Sequence, residues 1–463
     1  MNKYTYTRRK FLKTLGFTAA SIAVPWPINS SSLVSGREKQ PPNVILIVAD
    51  DMGYGDVGCY GNQHIKTPNL DALAKKGARF TDFHSNGPLC TPTRAALLTG
   101  CYQQRVGLHI IPKDQRYAMA KAMSLEEITF AEALKSVGYS TALVGKWHLG
   151  DRPAFLPPRQ GFDEYFGIPY SHDMHPWRKS FPPLPLMRGE EIVELNPDLD
   201  HLTQYCTEEA VKFISKNKDR PFLLYMPHPM PHQPVHVSER FAKRFSKEQL
   251  AAIKGEDKKS RKFLYSATIE EIDWSVGEII KAVRALGIEE STFVAFTSDN
   301  GPAIGSAGPL RGKKRELWEG GHRVPFIAYW QEKIRPGVVI DEIAMSMDLF
   351  PTMAAMGRAP LPRKKIDGVN LLPLLCEGDK LSERTVFWRS KGKKAARKGP
   401  WKLLMQPTKK KRPTSIGLYH LNNDLSEQHN LAEIYPEKLK SLQLEFAAWE
   451  KYVDAGRAQK DEW

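Results

Sequence analysis

Two apolar runs, far apart in the chain, end in the same chemistry. Asn43 to Ala49 contains the unbroken stretch Val44-Ile45-Leu46-Ile47-Val48, and Phe293-Val294-Ala295-Phe296-Thr297 repeats the pattern. Unbroken rather than alternating hydrophobicity predicts strands buried on both faces, as in a sheet covered by helices on each side. The first run stops at Asp50-Asp51, the second at Asp299-Asn300-Gly301. Ligands of open α/β sheets bind beyond the carboxyl ends of strands, and adjacent carboxylates there repel unless a cation lies between them. Four oxygen-bearing side chains, with no histidine or thiolate among them, suit a hard divalent cation, calcium before magnesium. The chain is thus predicted to be α/β, with its chemistry where these two strands end.

Between the strands lies Pro88-Leu89-Cys90-Thr91-Pro92-Thr93-Arg94-Ala95-Ala96-Leu97-Leu98-Thr99-Gly100. It reads as a helix with Thr91 as cap, Pro92 at the first helical position, Leu97 and Leu98 on an apolar face and Gly100 as stop. Cys90 then sits at a helix N-terminus, where free N–H groups, the dipole and Arg94 favour an anion. Leu70 to Arg79 and Thr129 to Val137 read as amphipathic helices. Ser140 to Val144 reads as a strand ending in Gly145-Lys146-Trp147-His148, whose alternation turns Lys146 and His148 to one side. A further strand, Phe222 to Met226, runs into a proline-rich loop that fixes His228 and His232, and Lys313-Lys314 precedes Glu319-Gly320-Gly321-His322.

A length of 463 residues with 41% hydrophobic composition allows a large core and two or three domains. At the N-terminus, Thr7-Arg8-Arg9-Lys10-Phe11-Leu12-Lys13 precedes an apolar run from Thr14 to Val24 that is too short to span a bilayer. Residues 1–36 are read as a cleaved twin-arginine export signal, which predicts a periplasmic or secreted protein with no stable membrane anchor. Losing Lys3, Arg8, Arg9, Lys10 and Lys13 takes the net charge from +15 to +10. Ser390 to Arg412 holds ten basic residues and no acidic one, so the excess is concentrated there. That segment is expected to be either a solvated loop or a contact for a polyanion. No motif with groove-reading geometry supports nucleic-acid binding. If Cys90 is consumed by maturation, the remaining cysteines, Cys59, Cys101, Cys206 and Cys376, allow three disulfide pairings or none. Late in the chain, Thr385 to Trp388, Trp401 to Met405 and Gly417 to His420 suggest an antiparallel sheet. Leu439, Leu442, Phe446, Trp449 and Val453 give a following helix one apolar stripe to pack on it.

The order Cys90-x-Pro92-x-Arg94, then Leu97-Leu98-Thr99-Gly100, resembles the signature of the type I sulfatases, in which that cysteine is oxidised to formylglycine. The likeness runs from about Asn43 to Leu431. Phe155 to Phe162 and Gly167-Ile168-Pro169-Tyr170-Ser171-His172-Asp173 look like the arylsulfatase A branch. The resemblance implies an alkaline-phosphatase-like mixed sheet between helices over 41–350, and a smaller C-terminal antiparallel sheet with a helix over 351–463. It implies calcium held by Asp50, Asp51, Asp299 and Asn300 with the oxidised Cys90 near the ion. Arg94, Lys146, His148, His232 and Lys314 would surround the sulfate, which Ser171 would also face. His232 is chosen over His228 for its His-x-Pro setting, and Lys314 over Lys313 because it lies five residues before Glu-Gly-Gly.

The implied reaction is hydrolysis of sulfate monoesters, aryl sulfates in vitro and sulfated small molecules or polysaccharide in nature. The hydrated aldehyde would attack sulfur with Asp299 as base, His232 would protonate the leaving alcohol with Lys314 assisting, and His148 would take the second hydroxyl's proton. A formylglycine-generating maturation enzyme is the implied partner. The rival readings are a phosphomonoesterase or phosphonate hydrolase of the same superfamily, and a catalytically silent binder of sulfated polymers.

Overall fold

In the computed structural model, residues 40–110, 121–174, 182–255, 257–407 and 415–456 are described. The export-signal reading of 1–36, and the basic cluster Lys409, Lys410, Lys411 and Arg412, lie outside them. The strand Asn43–Ala49 is the axis of a ten-stranded sheet. It pairs in parallel with Phe222–Pro227 on one side and with Thr292–Ser298 on the other, with Val44 opposite both Leu223 and Phe293. All residues of these three strands are buried. From edge to edge the sheet runs Val338–Ile340, Ala78–Phe80, Phe326–Tyr329, Thr292–Ser298, Asn43–Ala49, Phe222–Pro227, Ser140–Lys146, Glu164–Ile168, Pro185–Arg188, Glu191–Leu195. The middle strands are parallel, and antiparallel strands flank them on both sides.

Alternate side chains of the central strand enter two different cores, which is why the run is apolar throughout. Ile45 and Ile47 pack with the helices Leu202–Lys216 and Tyr265–Ala285, while Val44, Leu46 and Val48 pack with Cys90–Thr99, Phe130–Lys135 and Leu349–Gly357. Both layers are so tightly enclosed that truncating Leu46 or Phe296 to alanine should cost about 2–5 kcal/mol.

Element ends depart from the expectations for local reasons. The helix expected over Leu70 to Arg79 is Pro68–Lys76, stopped at Gly77, and Arg79 belongs to the strand Ala78–Phe80. The next is Phe130–Lys135, where the Thr129 hydroxyl accepts from the Glu132 N–H and the Glu132 carboxylate accepts from the Thr129 N–H.

The small C-terminal sheet has four antiparallel strands, Thr385–Ser390, Lys393–Lys398, Trp401–Gln406 and Ser415–His420. The helix Pro436–Ala455 lays Leu442, Phe446, Trp449 and Val453 against it. For the described part of the basic stretch, the strand Lys393–Lys398 replaces the solvated loop that was one of its two expected readings. Lys394 pairs with Glu450 at 2.8 Å and Lys398 with Glu445 at 3.2 Å, while Arg397 and Lys402 are buried in ion pairs. Cys59, Cys90, Cys206 and Cys376 are free thiols. No helix among the described residues is long and apolar enough to cross a membrane.

Candidate active site

The parallel register that sets Ala49 opposite Ser298 carries Asp50-Asp51 and Asp299-Asn300 off the same sheet edge, side by side. Ser298 fastens the two ends: its hydroxyl accepts from the Met52 N–H at 3.0 Å and donates toward the Ala49 and Asn300 carbonyls. Asp51 then takes a left-handed turn, φ 70°, and its N–H meets Asp299 Oδ1 at 3.2 Å. Asn300 Nδ2 donates to Asp51 Oδ1 at 2.7 Å. All four side chains are buried.

Three cations answer the three carboxylates. Arg94 gives Nε and Nη2 to Asp299 Oδ2 at 3.0 and 2.8 Å, reaches Asp50 Oδ2 at 3.3 Å, and donates Nη1 to the Lys146 carbonyl. Lys146 Nζ bonds Asp50, and Lys314 Nζ bonds Asp51 at 2.6 and 2.8 Å. His232 Nε2 stands 3.7 Å from Asp51 Oδ2. Burial alone would raise the Asp50 carboxyl, but Lys146, His232, Arg94 and Lys314 outweigh it and hold it well below the usual carboxylate range. Asp299 moves the other way, pushed up by burial and by the charge of Asp50.

Cys90 opens the helix Cys90–Thr99, with Leu89 as a cap lacking a side-chain acceptor. The Thr91 hydroxyl, expected as that cap, instead donates to the His148 carbonyl at 3.2 Å. Pro92 is the third helical residue, where the missing N–H is still one that no helical carbonyl would accept. Cys90 Sγ lies 3.3 Å from His148 Nδ1. Burial pushes the thiol up to about 11, against the pull of Lys146 and Lys314, so it is a neutral thiol at physiological pH. Lys146 and His148 do face one site, but not through strand alternation. The strand ends at Lys146, and His148 enters by a positive φ of 62°. Trp147 turns into the core and donates Nε1 to the Phe155 carbonyl.

The other expected residues separate cleanly. Ser171 is buried with its hydroxyl unpartnered, and His232 Nδ1 is likewise without a hydrogen bond. His228 points away: its Nε2 lies 3.4 Å from Ser275 Oγ on the helix Tyr265–Ala285. Lys313 is exposed, while Lys314 reaches Asp51. Residues missed from sequence include His172, whose ring stands edge-on to His232 at 5.5 Å, and Asp173, which accepts from Lys258 at 3.0 Å. Their adjacency to Ser171 was the available signal.

The donor set fits a divalent cation. Asp50 Oδ1 and Asn300 Oδ1 are buried with no hydrogen-bond donor, the condition of oxygens that serve an ion. Ligand atoms of Asp50, Cys90 and Asp299 lie within 4.8 Å of one another, as do those of Asp50, Asp51 and His232.

The family model described as Sulfatase matches residues 42–357. The chain belongs to the Sulfatase family. This sulfatase is 40% identical to human arylsulfatase A over 378 residues, which are 75% of this chain and 70% of that protein. It is 38% identical to N-acetylgalactosamine-6-sulfatase of Canis lupus familiaris, over 78% of this chain and 71% of that protein. Among solved structures it resembles Ps i-CgsB in complex with k-i-k-neocarrahexaose, with a TM-score of 0.75 and 30% identity, covering 89% of this chain and 93% of that one. The large mixed sheet with its small C-terminal sheet is therefore the alkaline-phosphatase-like sulfatase fold, and the protein is a sulfuric ester hydrolase of the arylsulfatase A-like branch.

Proposed function

We propose that this sulfatase cleaves sulfate monoesters with a calcium ion held by Asp50, Asp51, Asp299 and Asn300 and a formylglycine made from Cys90, and that its natural substrate is a sulfated carbohydrate. The observation that carries the reading is the placement of Cys90. Its sulfur lies within one ligand-sized cluster with Asp50 and Asp299 and against His148, yet it is a neutral thiol there. A thiol of that kind is a poor nucleophile, so the position needs different chemistry. The hydrated aldehyde supplies two hydroxyl oxygens where cysteine supplies one sulfur. Calcium supplies the charge that polarises oxygen at this point.

The remaining work falls to the chain's own residues. Asp299, its carboxyl lifted by burial, is the base beside the Cys90 position. His148 Nδ1 is placed to take a proton there, since burial and the charges of Lys146 and Arg94 keep the imidazole neutral. His232 gives a proton to the leaving alcohol, with Lys314 assisting. Lys146, Lys314 and Arg94 offset the charge of the sulfate oxygens, and Ser171 offers them a hydroxyl. Every one of these groups except Lys314 is buried, so their charges act on the sulfate in surroundings that screen them less than bulk water does. Carbohydrate is favoured because a relative is named for an N-acetylgalactosamine sulfate and a structural neighbour was solved with an oligosaccharide. Export by the twin-arginine signal and maturation by a formylglycine-generating enzyme belong to the same reading.

Peptide mass analysis of active protein should find the aldehyde or its hydrate at position 90, together with calcium bound to the folded chain. Fully active enzyme bearing only thiol at Cys90 would overturn the mechanism.

A further inference from the structure

Away from the proposed centre, six charged side chains and two histidines are buried together between the large and small sheets. Glu319 accepts from Lys402 Nζ at 2.9 Å, Arg397 Nη1 at 3.1 Å and Arg323 Nη1 at 3.2 Å. Asp82 accepts from Arg397 Nη2 at 2.6 Å and pairs with His84 Nε2 at 2.7 Å. Glu427 pairs with Lys402 at 2.7 Å and accepts from the Glu319 N–H at 2.7 Å. The set balances three carboxylates against three cations. Lys402 and Arg397 come from the small sheet, the other partners from beyond it.

Burying a charge-balanced cluster of this kind contributes little to stability relative to a hydrophobic replacement, and in some proteins such a cluster serves to hold one arrangement against others. Here the geometry leads to the centre on two sides. The turn Glu319–His322 lies against Gly301, whose N–H donates to the Gly321 carbonyl; a Cβ on Gly301 would stand 1.9 Å from the Gly320 oxygen. Gly301 follows Asn300 directly. The same turn supports the loop bearing Lys314, since the Gly320 N–H donates to the Arg311 carbonyl and Lys314 N–H to Pro302. On the other side, His84 Nδ1 meets His322 Nδ1 at 3.0 Å, Ser85 N–H donates to the His322 carbonyl at 2.7 Å, and Trp388 of the small sheet donates Nε1 to the Ser85 carbonyl at 2.8 Å. Residues 84–89 then lead into Cys90.

We propose that Lys402 and Arg397 are positioning residues for the sulfatase centre: through Glu319 and Asp82 they hold the turn beneath Asn300 and Lys314, and the approach to Cys90, in one fixed register. The proposal rests on the assignment of Cys90, Asn300 and Lys314 to the centre. The small sheet thereby acts on catalysis without touching substrate.

The test uses the full chain with Lys402→Met/Glu427→Gln, which removes one charge of each sign and keeps the cluster balanced, and Lys402→Arg as the conservative variant. Turnover of 4-nitrophenyl sulfate should fall about tenfold or more in the double variant with little change in KM, and Lys402→Arg should stay within about threefold of wild type. Amide hydrogen exchange should quicken together in 84–89 and 299–302, and stay unchanged in Phe222–Pro227. Should the double variant fail to fold, Arg397→Lys, which keeps the charge and loses the forked contact to Asp82 and Glu319, takes its place with the same expectations. Wild-type kcat with unaltered exchange in both segments would overturn the proposal, as would a rise in KM alone. Exchange needs neither calcium nor the aldehyde, so failure of the mechanism above would leave it to decide this point.

Discussion

His148 sets its Nδ1 3.3 Å from Cys90 Sγ, while its Nε2, equally buried, has no hydrogen-bond partner. An imidazole fixed this way serves one atom, and burial with Lys146 and Arg94 nearby keeps it neutral and able to accept a proton. His148→Ala should therefore spare release of the alcohol and slow the steps after it. Rapid mixing with 4-nitrophenyl sulfate should give a burst of about one nitrophenolate per site, then turnover reduced by about two to four orders of magnitude. A linear trace with no burst would place the histidine in an earlier step.

His232 stands on the other side of the centre, against Asp51 and His172. A proton donor matters most when the departing alcohol is a poor leaving group. His232→Ala should reduce kcat for a sugar sulfate more than for 4-nitrophenyl sulfate, by about tenfold or more in the ratio. Equal losses on both substrates would remove the assignment.

Asp51 and Asp299 are both assigned to the proposed calcium site, and each also holds a cation or an N–H of the opposite strand end. Asp51→Asn or Asp299→Asn should lower bound calcium and activity together. In wild type a chelator should lower the melting temperature, and excess calcium should restore it, as binding to the folded state requires. Unchanged melting with chelator and calcium alike would argue against a resident ion.

Helix Tyr265–Ala285 gives a prediction about pH. Burial pushes the Glu271 carboxyl up to about 7, from an ordinary 4.5; Oε2 accepts from the Ser238 N–H and Oε1 has no partner. The folded state thus binds this proton more tightly than the unfolded chain, so its contribution is greatest below 4.5 and is lost as pH rises toward 7. Glu271→Gln should stabilise the protein near neutral and alkaline pH, by up to about 3 kcal/mol, and change little at about pH 4. Urea unfolding at both pH values checks this. Equal destabilisation at both would mean that the carboxylate is needed as such.

The central strands were legible because burial on both faces leaves an unbroken apolar run, and the paired acids at their ends marked the site edge. The route to the site was less legible. Strand alternation brings Lys146 to the correct side, but His148 gets there through a left-handed turn that no spacing rule announces. Thr91 is a good cap by type, yet a carbonyl from a distant loop takes its hydroxyl. The strand Lys393–Lys398 was hidden by its own charge. A run of lysines and arginines looks alike whether it meets water or meets Glu445, Glu450, Asp82 and Glu319, which lie far away in sequence.

The strand Asn43–Ala49 is held between Phe222–Pro227 and Thr292–Ser298, both much later in the chain. A growing polypeptide therefore exposes Cys90 long before the residues that enclose it have been made, and once they pair, the residue is 1% exposed. On the reading proposed here, oxidation of that sulfur is a race against closure. Protein refolded from denaturant without its maturation partner would seal the thiol inside, and later addition of that partner would find nothing to act on.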